Sequence, residues 1–296
     1  MTLGKFLRGF IAGAALLSSA VTGQAQARAP QGPALWKVVD KDTIIYLFGT
    51  IHTLPEKAEW RTGPVAKAID ASDSLVLEIV MDDPARSAQL LATLGVTPGQ
   101  QPLAERIPTE KKDELQQLVA ASGLPPAFTD QLESWAAAIT LANVAFLLAG
   151  FSPDRGMEAQ LTQIYRDAQK PIGALETVEQ QLGFLDSLSE KAQRALLAGS
   201  VEDPKTIKTA LDAMLGAWLG GDVKAIAQTF DQETKSSPEL QQALLLRRNQ
   251  VWTQWVADRL KRPGTVFVAV GAGHLAGADS LQTMLSKRGI RSQRIN

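Results

Sequence analysis

The sequence predicts a mixed α/β fold, with a central, mostly parallel sheet built from both ends of the chain and a large helical insertion in the middle. Two apolar, β-branched runs, Tyr46-Leu-Phe-Gly-Thr-Ile-His52 and Val268-Ala-Val-Gly-Ala-Gly-His274, lie near opposite ends, and each closes on Gly-x-x-His. Between residues 43 and 80 the pattern is strand, helix, strand, the order that builds a parallel sheet. From about 84 to 262 the apolar residues recur at helical spacing, interrupted by one strand-like run at about 171–176.

Taken in order, residues 1–27 have the form of a secretory signal peptide. Lys5 and Arg8 supply a positive start, residues 9–21 a short apolar run, and Ala25-Gln-Ala27 a small-x-small cleavage site. That run is short for a transmembrane span, which ranks the signal reading above an uncleaved anchor. Residues 28–33 read as a disordered leader and 34–296 as a single domain. Leu35-Trp-Lys-Val-Val39 and Thr43-Ile-Ile-Tyr-Leu-Phe48 flank Asp40-Lys-Asp42 as a β-hairpin. Pro64 opens a short helix to Ala71, and residues 74–80 form a strand interrupted by one carboxylate, Glu78. A helix capped by Thr109 runs to 119 with Glu110 and Asp113 in its first turn. The helix at 129–148 is apolar almost all round, so burial on most sides is expected. Another covers 156–168, and Pro171-Ile-Gly-Ala-Leu-Glu176 is a short strand ending in a carboxylate. Helices follow at 178–188, 190–197, 204–219, 223–230 and 238–262. The sheet resumes at 265–270, and a helix at 281–287 precedes a final strand at 290–295.

Composition narrows the function. Removing the signal segment leaves 269 residues with a net charge of about −3 and no basic block, so nucleic acid is not an expected partner. No later stretch is apolar enough to cross a bilayer, so no membrane span is expected after cleavage. Cysteine is absent, which excludes disulfides, thiolate ligands, a cysteine nucleophile and a lipid anchor on cysteine. The chain lacks His-Glu-x-x-His, the nucleophile elbow Gly-x-Ser-x-Gly and the phosphate loop Gly-x-x-x-x-Gly-Lys-Ser/Thr.

The chain has only 2 histidines, His52 and His274, and both stand in the same strand-end setting. A strand that stops at glycine and delivers histidine three residues later puts the imidazole beyond the sheet edge, where α/β folds bind ligands. Neutral imidazole serves as metal ligand or general base, and both roles are open. Glu78, among apolar neighbours, is either an edge-strand residue facing solvent or a carboxylate at the strand's end beside His52. Two imidazoles and a carboxylate form an N/N/O set suited to Zn, Mn, Co or Fe(II). Glu176 is a candidate base or further ligand, or simply the acid that favours a helix N-terminus. Arg248 and Asn249 form either a solvated helix face or a clamp on substrate.

At these residues the chain resembles the TraB/GumN (TraB/PrgY/GumN) family, which includes the TIKI metalloproteases. The resemblance spans about 34–296 and is carried by Trp36, Tyr46-Leu-Phe-Gly-Thr-Ile-His52, Leu75-Val-Leu-Glu78, residues 170–182, Arg248-Asn249 and Val270-Gly-Ala-Gly-His-Leu-Ala-Gly277. It implies a metal-dependent, peptidase-like α/β fold with His52, Glu78 and His274 at the site and a divalent ion such as Mn or Co. Where the family pattern has an Asp after a Gly-aliphatic pair, this chain has Gly156-Met-Glu158, which makes Glu158 a possible additional acid.

The expectation that follows is an exported metal-dependent hydrolase, a peptidase by resemblance, acting on a peptide or protein substrate in the periplasm or the medium. Its metal would be Mn, Co or Zn. Two alternatives use the same pocket: a protein that sequesters a peptide or ligand without turnover, and a metal-free hydrolase with one histidine as base.

Overall fold

The computed structural model describes residues 32–296 apart from 55–57, 62, 82, 152–155 and 235–236. The expected signal peptide and most of the expected leader therefore lie outside the described residues. Within the stretch expected to be leader, the Pro33 carbonyl accepts from the Asn296 amide.

Among the described residues six strands form one sheet: β1 (Leu35–Val39), β2 (Thr43–Thr50), β3 (Ser74–Leu77), β4 (Ile172–Ala174), β5 (Gly264–Gly271) and β6 (Ser292–Arg294). Their order is β4-β3-β5-β2-β1-β6. The neighbours β4, β3, β5 and β2 all run parallel, while β1 is antiparallel to both β2 and β6. Both ends of the chain thus supply the sheet, as expected.

Alternation along the strands divides the core. Phe48, Leu75, Leu77, Phe267 and Ala269 face a layer containing α1 (Gly63–Ala71) and α6 (Met157–Asp167). Ile45, Leu47, Val266, Val268 and Val270 face Trp252, Val256, Leu281 and Leu285 on α12 (Arg247–Arg259) and α13 (Leu281–Lys287). β2 and β5 are buried on both faces, which is why they read as continuous apolar runs. The insertion has a core of its own around α3 (Lys112–Ser122), α5 (Ser134–Leu148) and α8 (Glu190–Ser200). It is joined to the sheet by α9 (Pro204–Leu219): Trp218 donates its indole N–H to the Gly49 carbonyl at 2.7 Å and stacks edge-on against Phe48. Among the described residues no helix is long and apolar enough to cross a membrane.

Four boundaries differ from the sequence reading. β3 stops at Leu77, so Glu78 lies past the strand end and not within it. Thr109 is no cap: a single 3₁₀ turn, Thr109–Lys111, leads into α3 and turns Lys111 inward to the Val201 carbonyl. The helix expected at 129–148 begins at Ser134, because Thr97 N–H bonds Gln131 and Glu133 N–H bonds Gly95, pulling residues 130–133 into an extended turn. Its far end is also solvent-facing, with Leu147 and Leu148 exposed. The helix expected at 238–262 is divided by a wide π turn, Gln242–Leu246, just before Arg248. Such a turn adds a residue to the helix and re-aims the side chains that follow it.

Candidate active site

His52, His274, Glu78 and Glu176 follow the carboxyl ends of β2, β5, β3 and β4 respectively. These are the four parallel neighbours, so residues up to 222 positions apart are gathered along one edge of the sheet. The register brings Thr50 opposite Gly271, and a 3₁₀ turn, Ala272–Leu275, then carries His274 back over the strand ends.

Gly271 marks the meeting point. A methyl group placed on its Cα would lie 3.3 Å from Glu78 Oε1, 3.7 Å from His274 Cδ2 and 4.0 Å from His52 Nε2. The three candidates therefore face one small space, which exists because residue 271 has no side chain. The backbone N–H of Gly271 also donates to Glu78 Oε1 at 2.7 Å.

Each ring has its Nδ1 held by an oxygen acceptor. His52 Nδ1 stands 3.0 Å from Glu158 Oε1, which also accepts from the Thr50 hydroxyl at 2.6 Å. Glu158 raises the His52 pKa to about 9, although the ring is at the mouth of the site with 76% of its side chain exposed. His274 Nδ1 is 2.8 Å from Asn249 Oδ1, an acceptor that fixes the proton on Nδ1 and leaves Nε2 as a lone pair. Burial lowers the His274 pKa to about 3, and Trp252 packs on the ring at 4.3 Å between centroids. Glu78 is buried, which by itself would raise its pKa. His274, Arg248 and His52 outweigh that and hold it down at about 2.

Arg248 is buried and bonded through every N–H it has. Nε donates to Glu176 (3.0 and 3.1 Å), Nη2 to Glu78 Oε2 (2.5 Å) and Glu176 Oε2 (2.9 Å), and Nη1 to the Leu244 carbonyl (3.3 Å) and His274 Nε2 (3.2 Å). Asn249 is fully buried, its amide N–H groups donating to the carbonyls of His274 and Asp279.

A model of the TraB/PrgY/gumN family matches residues 34–294. The chain belongs to the TraB/PrgY/gumN family. Among relatives, it is 28% identical over 259 residues to Escherichia coli K12 YbaP, described as an uncharacterised protein, covering 86% of this chain and 92% of that one. It is 21% identical over 267 residues to an uncharacterised Treponema pallidum protein, covering 86% of this chain and 80% of that one. No solved structure matches.

Within this family member the sequence-derived candidates meet, and the contacts decide between readings left open. Glu78 stands at the strand's end and is not a solvent-facing edge residue, since β3 is an inner strand and Glu78 is buried. Both oxygens of Glu176 accept from Arg248. Arg248 and Asn249 are not a solvated face, because both are buried and their polar groups are engaged within the chain. Glu158, expected as a possible additional acid, reaches His52 Nδ1 from the first turn of α6.

Two contributors escaped sequence reasoning. Gln181 donates to Glu78 Oε2 at 3.2 Å from α7 (Val178–Asp186), and Thr50 steadies Glu158. Thr50 lay inside the first Gly-x-x-His motif. Gln181 had the weaker signal of following the capping box Thr177–Gln180, which fixes the start of α7 over the strand ends.

The donor set suits a divalent ion in type. Both imidazoles have the far nitrogen held by an oxygen acceptor, the outer arrangement that metal-binding histidines use. In position it is less ready. Among the described residues no group of three or more His, Asp or Glu side chains is placed to hold a metal ion, and Arg248 Nη1 occupies the His274 lone pair.

Proposed function

We propose that this chain is an exported hydrolase acting on peptide bonds, with a divalent ion (Mn, Co or Zn) held by His52, Glu78 and His274. The observation that carries the reading is the space over Gly271, faced at once by Glu78 Oε1, His274 and His52 Nε2. Charge supports it as well: among the described residues, three buried or half-buried carboxylates, Glu78, Glu158 and Glu176, are matched by one permanent cation, Arg248. The proton on His52 supplies part of the missing charge, and a cation at the site would replace it.

A divalent ion bound there would supply a water of lowered pKa and a Lewis acid for the substrate carbonyl. The rest is done by the chain. Glu158 and Thr50 hold the His52 ring with Nε2 turned inward. Asn249 fixes the His274 tautomer so that Nε2 is a lone pair. The Gly271 N–H and Gln181 aim the Glu78 carboxylate, while Arg248 balances the charges of Glu78 and Glu176. His52, exposed and carrying a proton when no ion is bound, is placed to exchange protons with solvent at the mouth.

One observation favours a second reading, sequestration of a peptide without turnover: the described side chains are not placed to hold an ion. Elemental analysis of the purified protein beside His52→Ala and His274→Ala separates the two. Bound metal lost in both folded variants, with peptide hydrolysis abolished by chelator and restored by Mn or Co, is the expected result. Folded protein that cleaves nothing under Mn, Co or Zn, yet still retains peptide after chelation, leaves sequestration.

A further inference from the structure

Among the described residues β4 ends the sheet, with β3 on one side and no strand on the other. Its bonds to β3 fix which of its groups face outward. Leu75 N–H donates to the Pro171 carbonyl and Leu175 N–H to the Leu77 carbonyl. Residues 171, 173 and 175 therefore turn their backbone polar groups toward β3, and the N–H and C=O of Ile172 and Ala174 point away from the sheet. Gly173 and Ala174 are exposed. At Gly173, the central residue, an added Cβ would meet a single atom, Val76 Cγ2, at 3.9 Å. Its Cβ direction is the sheet face shared with Val76, so the outer side of β4 offers backbone groups alone.

Beside this edge is a cleft of about 260 Å³. Val80, Met81, Leu90, Ala174 and Val178 line it with apolar surface, and the Arg86–Glu179 ion pair closes its rim. Met81 is 68% exposed, a large apolar side chain left uncovered at the cleft wall. The edge also leads directly to the catalytic groups. Glu176, two residues past β4 and also in the cleft wall, donates its backbone N–H to the Glu78 carbonyl, and its carboxylate holds Arg248.

We propose that the open edge of β4 binds the substrate as an added β-strand, so that an extended peptide is hydrogen-bonded at Ile172 and Ala174 with side chains in the adjoining cleft. This deepens the hydrolase reading and rests on it for the identity of the occupant as substrate. Strand addition supplies affinity through main-chain bonds, and the cleft then selects alternate side chains. Only two outward residues are available, so the bonded segment is short and recognition is tolerant of sequence. A peptide held there runs beside Glu176 toward Glu78 and the histidines.

The test is equilibrium capture of a random-sequence decapeptide pool by the whole mature protein under chelator, so that binding is read without turnover. Ala174→Pro removes an outward N–H, whereas Gly173→Val adds a side chain on the sheet face and leaves every edge group in place. Captured peptide is expected to fall at least tenfold in Ala174→Pro and to hold in Gly173→Val, with circular dichroism and bound-metal content before chelation unchanged. Single N-methylation along a captured decapeptide should weaken it at alternate amides. Should Ala174→Pro not fold, the N-methyl series decides. Equal capture by wild type and folded Ala174→Pro, N-methylation without alternation, or a concentration-dependent dimer through this edge that excludes peptide overturns the proposal. Hydrolysis of short substrates without edge-dependent capture removes strand addition alone. Edge-dependent capture with no hydrolysis under any metal removes the catalytic reading alone.

Discussion

Glu158 stands 3.0 Å from His52 through an oxygen that Thr50 also holds, so this acid orients the first histidine. The contact depends on length. With α6 fixed by the burial of Met157, Leu161 and Tyr165, a side chain one methylene shorter falls back from the ring. Glu158→Asp and Glu158→Gln are both expected to reduce kcat/KM and metal affinity about 10–100-fold, the usual cost of losing a partner behind a metal-bound histidine. NMR titration of His52 adds a readout: its pKa should fall from about 9 toward 6.5 in Glu158→Gln. An unchanged pKa would remove Glu158 from the site.

Gly271→Ala should impair function with little effect on folding. The backbone there has φ −49, which alanine adopts freely, but its methyl would press on Glu78 Oε1 at 3.3 Å and fill the shared space. Thermal unfolding should move by no more than the equivalent of about 1 kcal/mol, as for substitutions that leave the core intact. Bound metal and hydrolysis should fall more than tenfold. A fully active Gly271→Ala would show that the space is not used.

Replacing Arg248 by Met should destabilise the protein by about 3–5 kcal/mol in urea unfolding, because Glu78 and Glu176 would be left buried without their cation. Adding Glu176→Gln to Arg248→Met should recover part of that loss, since one unpaired charge is removed. A loss under about 1 kcal/mol for the single change would mean that solvent, not Arg248, balances these carboxylates.

Stability of the metal-free protein should peak near pH 6.5. His52, raised from 6.5 to about 9, contributes stability that is fully present below 6.5 and lost as pH climbs through 9. His274, lowered from 6.5 to about 3, and Glu78, lowered from 4.5 to about 2, contribute stability that is lost as pH falls below their ordinary values. The alkaline limb should be shallow, because exposed His52 is screened by solvent. Melting temperatures of chelator-treated protein from pH 4 to 10 check this, and a steady rise across the range would contradict it.

Much of the fold was legible because β2 and β5 are inner strands. Burial on both faces forces long β-branched runs, and such runs stand out in any sequence. The helical boundaries at Pro204 and Leu281 were equally clear, since Asp203 and Ser280 cap them by bonding the first free N–H groups. The break at residues 130–133 was hidden, because it is made by bonds to Gly95 and Thr97, some 35 residues away. The π turn before Arg248 left no mark either, as Gln-Ala-Leu-Leu-Leu is good α-helical sequence and only local hydrogen bonding distinguishes the two. At the site, histidine scarcity and the repeated Gly-x-x-His picked out His52 and His274. Arg248 and Glu176 were noticed but not paired with each other, since sequence shows a charge and not its partner.

The amino-acid order alone determined the residue types available for chemistry, the strands that deliver them and the family to which they belong, because those follow from periodicity and short motifs along the chain. Which imidazole is charged, which carboxylates are already spent on Arg248, and which sheet edge is left open were decided only by tertiary structure. Each depends on distances of about 3 Å between groups far apart in the chain, and at that range burial and charge, not sequence spacing, set what a side chain does.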